Sequence, residues 1–355
     1  MCLYRKTYAE INLSNIKNNV KKIINRYNNY KYYIGVVKSD CYGHGIKAIN
    51  SVIDGGCNYL AVALLEEAIA IREFNKKIPI LCLGNINPKY LKLCIDKNIT
   101  ITVNSLEYVN LITSNINNLK VHIKLNTGMN RLGISKISEL KEVIRILKEK
   151  GSTIEGIYTH IYDALSTENT LNQIKKFENL LYSIDYENIP IIHFQASDAL
   201  TNYLKPNYIN GCRLGIIIYG FSNDTNLQLE STFKLYSQVI QINELNSNET
   251  VGYNGIYKAK HSEKIGVVSI GYDDGIIRKN TGRNVYINNR EYKIVGNICM
   301  DMLFVSIDDN VKLYDKVLLL KDIEHIKKVS KYLETIPYEV LCIIGKRVPR
   351  IYINE

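Results

Sequence analysis

The sequence predicts an α/β chain in two parts: an N-terminal (β/α)8 TIM barrel and a mainly β C-terminal domain. Three observations predict it. Eight short apolar runs recur through roughly the first 220 of the 355 residues, segments of helical period lie between them, and near Asn223 the pattern turns to short β-like runs. Strands that are apolar throughout and alternate with helices belong to a parallel sheet covered on both faces. Eight such units close a barrel. A doubly wound open sheet is the alternative, weakened because no GxGxxG follows the first run.

The eight expected strands are Tyr32–Lys38, Asn58–Leu64, Ile78–Gly84, Ile99–Val103, Lys120–Asn126, Thr153–His160, Ile189–Gln195 and a short one near Arg213–Ile217. In SNIKNNVKKIINR, Ile16, Val20, Ile23 and Ile24 share one helix face. The segments LLEEAIAIREF, SLEYVNLITS and LNQIKKFENLLYSI read similarly. From Thr232 onward come KLYSQVIQI, KIGVVSIGY, NVYINNREYKIVG, MLFVSID and KVLLLK, with one helix candidate, HIKKVSKYLETI. We place the barrel at residues 1–225 and the β domain at 226–355, with about the first ten residues packing on the latter.

Composition narrows the function. The chain is 46% hydrophobic and 23% charged, as in globular proteins. No apolar run approaches the length of a membrane span and the N-terminus lacks a signal core, so a cytoplasmic location is expected. The formal charge of +10 raises the thought of nucleic acid, but the basic residues are dispersed among acids, as in SELKEVIRILKEK, and no binding signature is present. Eight cysteines are scattered without a CxxC pair. They are expected as free thiols, and no metal site is expected.

In such a barrel, reactive groups stand at the C-terminal strand ends. Lys38 ends the first strand, where burial would lower an amine's pKa and suit Schiff-base chemistry. Lys124 and Arg131 flank the loop after the fifth strand, and an arginine there is a natural clamp for a carboxylate or phenolate. His160 ends the sixth strand. Ser197 opens a helix after the seventh, and Arg213 precedes Gly215 near the eighth, where backbone amides can approach a phosphate. Each has a bland explanation alone: a surface lysine, a structural histidine, an arginine paired with an acid. Their coincidence at one rim is what departs from chance.

VVKSDCYGHG resembles the cofactor-lysine motif of the alanine racemase family, fold-type III pyridoxal-phosphate enzymes. The resemblance continues in order through KLNTGMNRLG, EGIYTH, CRLGIIIYG, VGYNGIY, IGYDDG and GNICMDM to KRVPRIY, covering essentially the whole chain. It implies a racemase of alanine, making the D-isomer for peptidoglycan. Lys38 would hold pyridoxal phosphate as a Schiff base and act as one base. Tyr253, donated by the partner subunit of a homodimer, would be the other. Tyr42 and Ser197 would bind the phosphate by hydroxyls, and Gly215 and Ile216 by amides. Arg213 would face the pyridine nitrogen, with His160 between it and Tyr253. Arg131 would serve the phenolic oxygen and the substrate carboxylate, Lys124 occupies a position often carbamylated, and Met300 and Asp301 would line the substrate pocket.

Two positions depart from the family pattern. Ala196 stands where an asparagine is usual, and Lys346 where a tyrosine usually precedes RVPR. Loss of that ring leaves space for a larger or more polar side chain, so serine or broader specificity is the second expectation. A cofactor-binding regulatory protein without turnover is a third, against which Tyr253 argues, since a carrier needs no second base. A nucleic-acid binder rests on net charge alone.

Overall fold

A computed structural model describes residues 4–114 and 116–355, so Cys2 lies outside the described residues. The chain divides into two compact units, one of residues 17–41 and 46–229, the other of residues 4–16, 42–45 and 230–355.

The first unit is a closed barrel. Its strands are parallel and pair in chain order: β2 (Tyr32–Val36), β3 (Tyr59–Val62), β4 (Ile80–Cys82), β5 (Thr100–Val103), β6 (Lys120–Lys124), β7 (Thr153–Tyr158), β8 (Ile191–Ala196) and β9 (Gly211–Leu214), which returns to β2. A strand preceding these, β1 (Tyr8–Asn12), belongs to the other unit. All eight expected barrel strands form, most a residue or two shorter than read. The last is shifted: Ile216–Tyr219 turns into a 3-10 helix instead of extending the strand. β3, β4, β5 and β9 are buried along their whole length, which is why they read as unbroken apolar runs. The helix Leu13–Arg26 buries Ile16, Val20 and Ile23, each removal from water favouring the fold by about 1.5–3 kcal/mol. Ile24 faces less fully inward. SLEYVNLITS yields one short helix, Leu106–Asn110, capped by the Ser105 hydroxyl.

The second unit is mainly β. The long strand β10 (Phe233–Leu245) carries a bulge between Val239 and Gln241, before which it pairs with β1 and after which with β13 (Glu263–Val268). A short hairpin, β11 (Thr250–Val251) and β12 (Tyr257–Lys258), precedes β13. The order β13-β16-β15-β14-β17-β10 closes on itself through the β13–β10 pairing, formed with β14 (Asn284–Ile287), β15 (Arg290–Val295), β16 (Leu303–Ile307) and β17 (Lys316–Leu320). β18 (Arg350–Ile353) adds beside β1, parallel to it. The expected helix forms over Ile323–Tyr332, capped by Asp322, and stops early because Glu334 takes a left-handed conformation. A second helix, Pro337–Cys342, was not expected. It is too short for a helical period to show.

The seven described cysteines are in the thiol form, five of them buried. No helix among the described residues is long and apolar enough to cross a membrane.

Candidate active site

Lys38 follows β2 by two residues and begins a turn that sequence reasoning did not foresee. Ser39, Asp40, Cys41 and Tyr42 all have φ between 52 and 55°, a left-handed turn without glycine. Such a conformation costs about 1–2 kcal/mol per residue. Glu67 offsets part of this. Its carboxylate accepts the Ser39 N–H at 2.6 Å and, on its other oxygen, those of Ala63 and Leu64 at 2.8 and 3.1 Å. These charge-assisted bonds fix the chain as it leaves Lys38.

Lys124 is the buried last residue of β6, its Nζ 5.7 Å from the Tyr158 ring centre. Burial, then the charges of Arg131, Arg213 and Lys38, bring its pKa down to about 8. Arg131 is exposed in the loop that follows, whose return needs glycine at 133: a Cβ there would lie 2.6 Å from the Leu125 carbonyl carbon. Arg213, on β9, is buried. Its Nη2 donates to the carbonyls of Thr159 and Phe194 at 2.9 and 3.0 Å and to His160 Nδ1 at 3.2 Å, while Nη1 donates to His193 Nδ1 at 2.6 Å. Burial lowers its pKa to about 10, so it stays charged at neutral pH. His160 is half-buried, just beyond β7. Burial, then Arg213, Arg131, Lys124 and Lys38, lower it to about 3. Because arginine can only donate, His160 Nδ1 accepts and its proton sits on Nε2.

The rim of the barrel thus gathers cations. Among the described residues no carboxylate ion-pairs with Lys124, Arg131 or Arg213. Beside them, Ser197 is the buried first residue of the helix Ser197–Asn202, and its Oγ accepts the Gly215 N–H at 3.3 Å. Ile216 follows at the start of the 3-10 turn. Ala196 ends β8 in register with Arg213.

The other sequence-predicted residues belong to the C-terminal unit. Tyr253 is 63% exposed and Met300 50%. Tyr253's backbone is held where its carbonyl accepts from Asn297 at 2.9 Å. Asp301 is tied to Arg347 at 2.7 Å, and Arg347 also pairs with Asp273. Lys346 is exposed beside it. Tyr42 is buried, its ring 5.9 Å from Tyr338, and burial raises its phenol pKa.

Four residues that contact this set were missed. Glu67 sets the turn after Lys38, Tyr158 lies under Lys124 and Arg213, and His193 and His122 continue inward from Arg213. The available signal was a histidine inside an otherwise apolar core strand, which occurs in both VHIK and IIHFQ.

Residues 11–223 match the family model described as alanine racemase, N-terminal domain, and residues 232–352 its C-terminal counterpart. The chain is 34% identical to alanine racemase 1 of Bacillus subtilis over 99% of its own length and 94% of that protein's. Among solved structures it resembles an alanine racemase from Bacillus anthracis with bound L-Ala-P, at 30% identity and a TM-score of 0.93, covering 100% of this chain and 96% of that one. The enzyme from E. faecalis matches at 31% identity and a TM-score of 0.91, with 98% of each chain covered.

Proposed function

The chain belongs to the alanine racemase family, and on that premise we propose that it interconverts L- and D-alanine with pyridoxal phosphate carried on Lys38. The observation that carries the reading is the cation-rich rim, where Lys38 lies among Lys124, Arg131 and Arg213 and near a neutral His160. That donor set suits a cofactor bearing a phosphate and a phenolic oxygen, and a substrate bearing a carboxylate. Bound there, the cofactor would supply the electron sink that lets an α-proton leave.

Racemisation takes a proton from one face and returns one to the other, so two bases must flank the α-carbon. Lys38 serves one face. Tyr253 serves the other, and its exposure supports donation to a neighbouring copy, hence a homodimer with shared sites. His160, keeping its proton on Nε2, would donate it as a hydrogen bond to the phenol oxygen of Tyr253 once the phenol has given its own proton to the α-carbon. Arg213 stays cationic and has no lone pair, so it would face the pyridine nitrogen as a donor and would not keep that nitrogen protonated. Such a partner would make the cofactor a weaker electron sink and would limit transamination. A pyridoxamine form accumulating quickly with alanine would contradict this step. Tyr42, Ser197, Gly215 and Ile216 would hold the phosphate, Arg131 the phenolic oxygen and substrate carboxylate, and Met300 and Asp301 would line the pocket. Lys124, with a pKa near 8, has enough neutral amine to react with carbon dioxide. A carbamate there would turn a cation into an anion facing Arg131. Intact mass lacking the added group would remove that idea. The product serves peptidoglycan assembly in the cytoplasm.

Ala196 and Lys346 favour a second reading, turnover of serine as well. A hydroxyl's difference is worth about 1–3 kcal/mol in such pockets. The test is the purified chain with pyridoxal phosphate. Its visible band should disappear in Lys38→Ala, and L-Ala and L-Ser are then assayed side by side. A band without turnover of either means a regulatory binder.

A further inference from the structure

Below Arg213 a line of polar groups crosses the barrel interior, where apolar side chains would be expected. We propose that Glu155, toward the N-terminal end of β7, is a positioning residue for Arg213, acting through His122 and His193. It rests on the reading of Arg213 given above.

Direction follows from chemistry. Arg213 has no acceptor, so His193 Nδ1 must accept its proton at 2.6 Å. A neutral His193 then carries its proton on Nε2, which donates to His122 Nδ1 at 3.0 Å. His122 in turn carries its proton on Nε2, which makes no hydrogen bond of its own and faces Glu155 Oε2 at 3.5 Å, a charge–dipole contact. Burial, followed by the charge of Arg213, keeps His193 neutral. Burial likewise outweighs Glu155's pull on His122. The line joins a guanidinium to a carboxylate through two imidazoles that can point only one way.

The strands are built around it. β7 has a bulge against β6: Val121 faces Ile154 and His122 faces Gly156, leaving Glu155 as the extra residue. A bulge re-aims the side chain it carries. Gly156 makes room for the imidazole, since a Cβ there would lie 2.5 Å from His122 Cε1 and Nδ1. Tyr158 stacks on His193, ring centres 4.7 Å apart and planes 8° apart. At the far end Glu155 also accepts from the Tyr59 and Thr100 hydroxyls at 2.7 and 3.0 Å, with Lys120 Nζ 3.6 Å away. Burial opposes its charge, but His122, Tyr59 and Lys120 hold its pKa down to about 2. The carboxylate therefore orients His122, and through it His193, without touching the site, and the guanidinium's other nitrogen is left on His160.

The test uses the full chain with [15N]histidine. Ring-nitrogen correlations should show both His122 and His193 neutral with the proton on Nε2, with or without pyridoxal phosphate. Either ring protonated on Nδ1 overturns the proposal. Glu155→Gln keeps an acceptor for His122 and removes the charge, and Glu155→Leu removes both. In each folded variant the His193 ring nitrogens should shift, although the substitution is two rings away. We expect kcat to fall about tenfold in the leucine variant and less in the glutamine variant, with KM within about twofold. Unmoved His193 resonances or an unchanged kcat in a folded variant refutes it. Wild-type rings in the expected tautomers without racemisation would instead remove the function proposed above.

Discussion

The two units supply functional residues in opposite ways. The barrel sets the state of its own groups. Lys124 is lowered to about 8 and His160 to about 3 by burial and by neighbours within the same unit, and Arg213 donates to His193, His160, Thr159 and Phe194 there. The C-terminal unit instead presents Tyr253 and Met300 to solvent on a stable β framework. A site that must tune charge is built on strand ends inside a packed interior, where desolvation acts. On the proposed reading, a group that acts in a neighbouring copy is left exposed in its own chain.

Four tests sharpen that contrast. The largest effect is expected in Lys38→Ala, which should lower racemisation by about 10⁴-fold or more and abolish the cofactor's visible band. Tyr253→Phe should lower kcat about 10²–10⁴-fold while leaving that band and the melting temperature unchanged, because the exposed ring supports no packing. A loss of cofactor binding in this variant would break the division of labour. Gly156→Ala, inside the barrel, should reverse the pattern. It costs about 1–3 kcal/mol of stability, read from the urea midpoint, because the new Cβ meets the His122 ring.

The smallest effect is pH dependence. His160 has a folded pKa near 3 against an ordinary value of 6.5, so the unfolded chain binds more protons between those values. Stability is therefore full above about pH 6.5 and falls as the pH drops toward 3. Lys124, lowered from 10.5 to about 8, makes stability rise with pH across that interval. Urea midpoints of the wild type and of His160→Gln at pH 5 and 7.5 check the first slope, which the variant should flatten.

Much of this was legible in the chain. Periodicity gave the barrel strands and the change of pattern near Asn223, because a strand covered on both faces must be apolar throughout. Chemistry at strand ends picked out Lys38, Lys124, His160 and Arg213 without coordinates. The left-handed turn at Ser39–Tyr42 was not legible, since its residues have no preference for positive φ. Part of its cost is offset by Glu67, distant in sequence, which accepts the Ser39 N–H.

The amino-acid order by itself determined the eight barrel strands to within a few residues and which reactive groups stand near their ends, because those depend on local period and on the cost of burying a charge. Tertiary structure alone decided protonation and direction. The pKa values of Lys124 and His160, the tautomers of His122 and His193, and the bulge that turns Glu155 inward arise when groups remote in the chain share one desolvated interior. Electrostatics there depends on distance in space, which sequence separation does not encode.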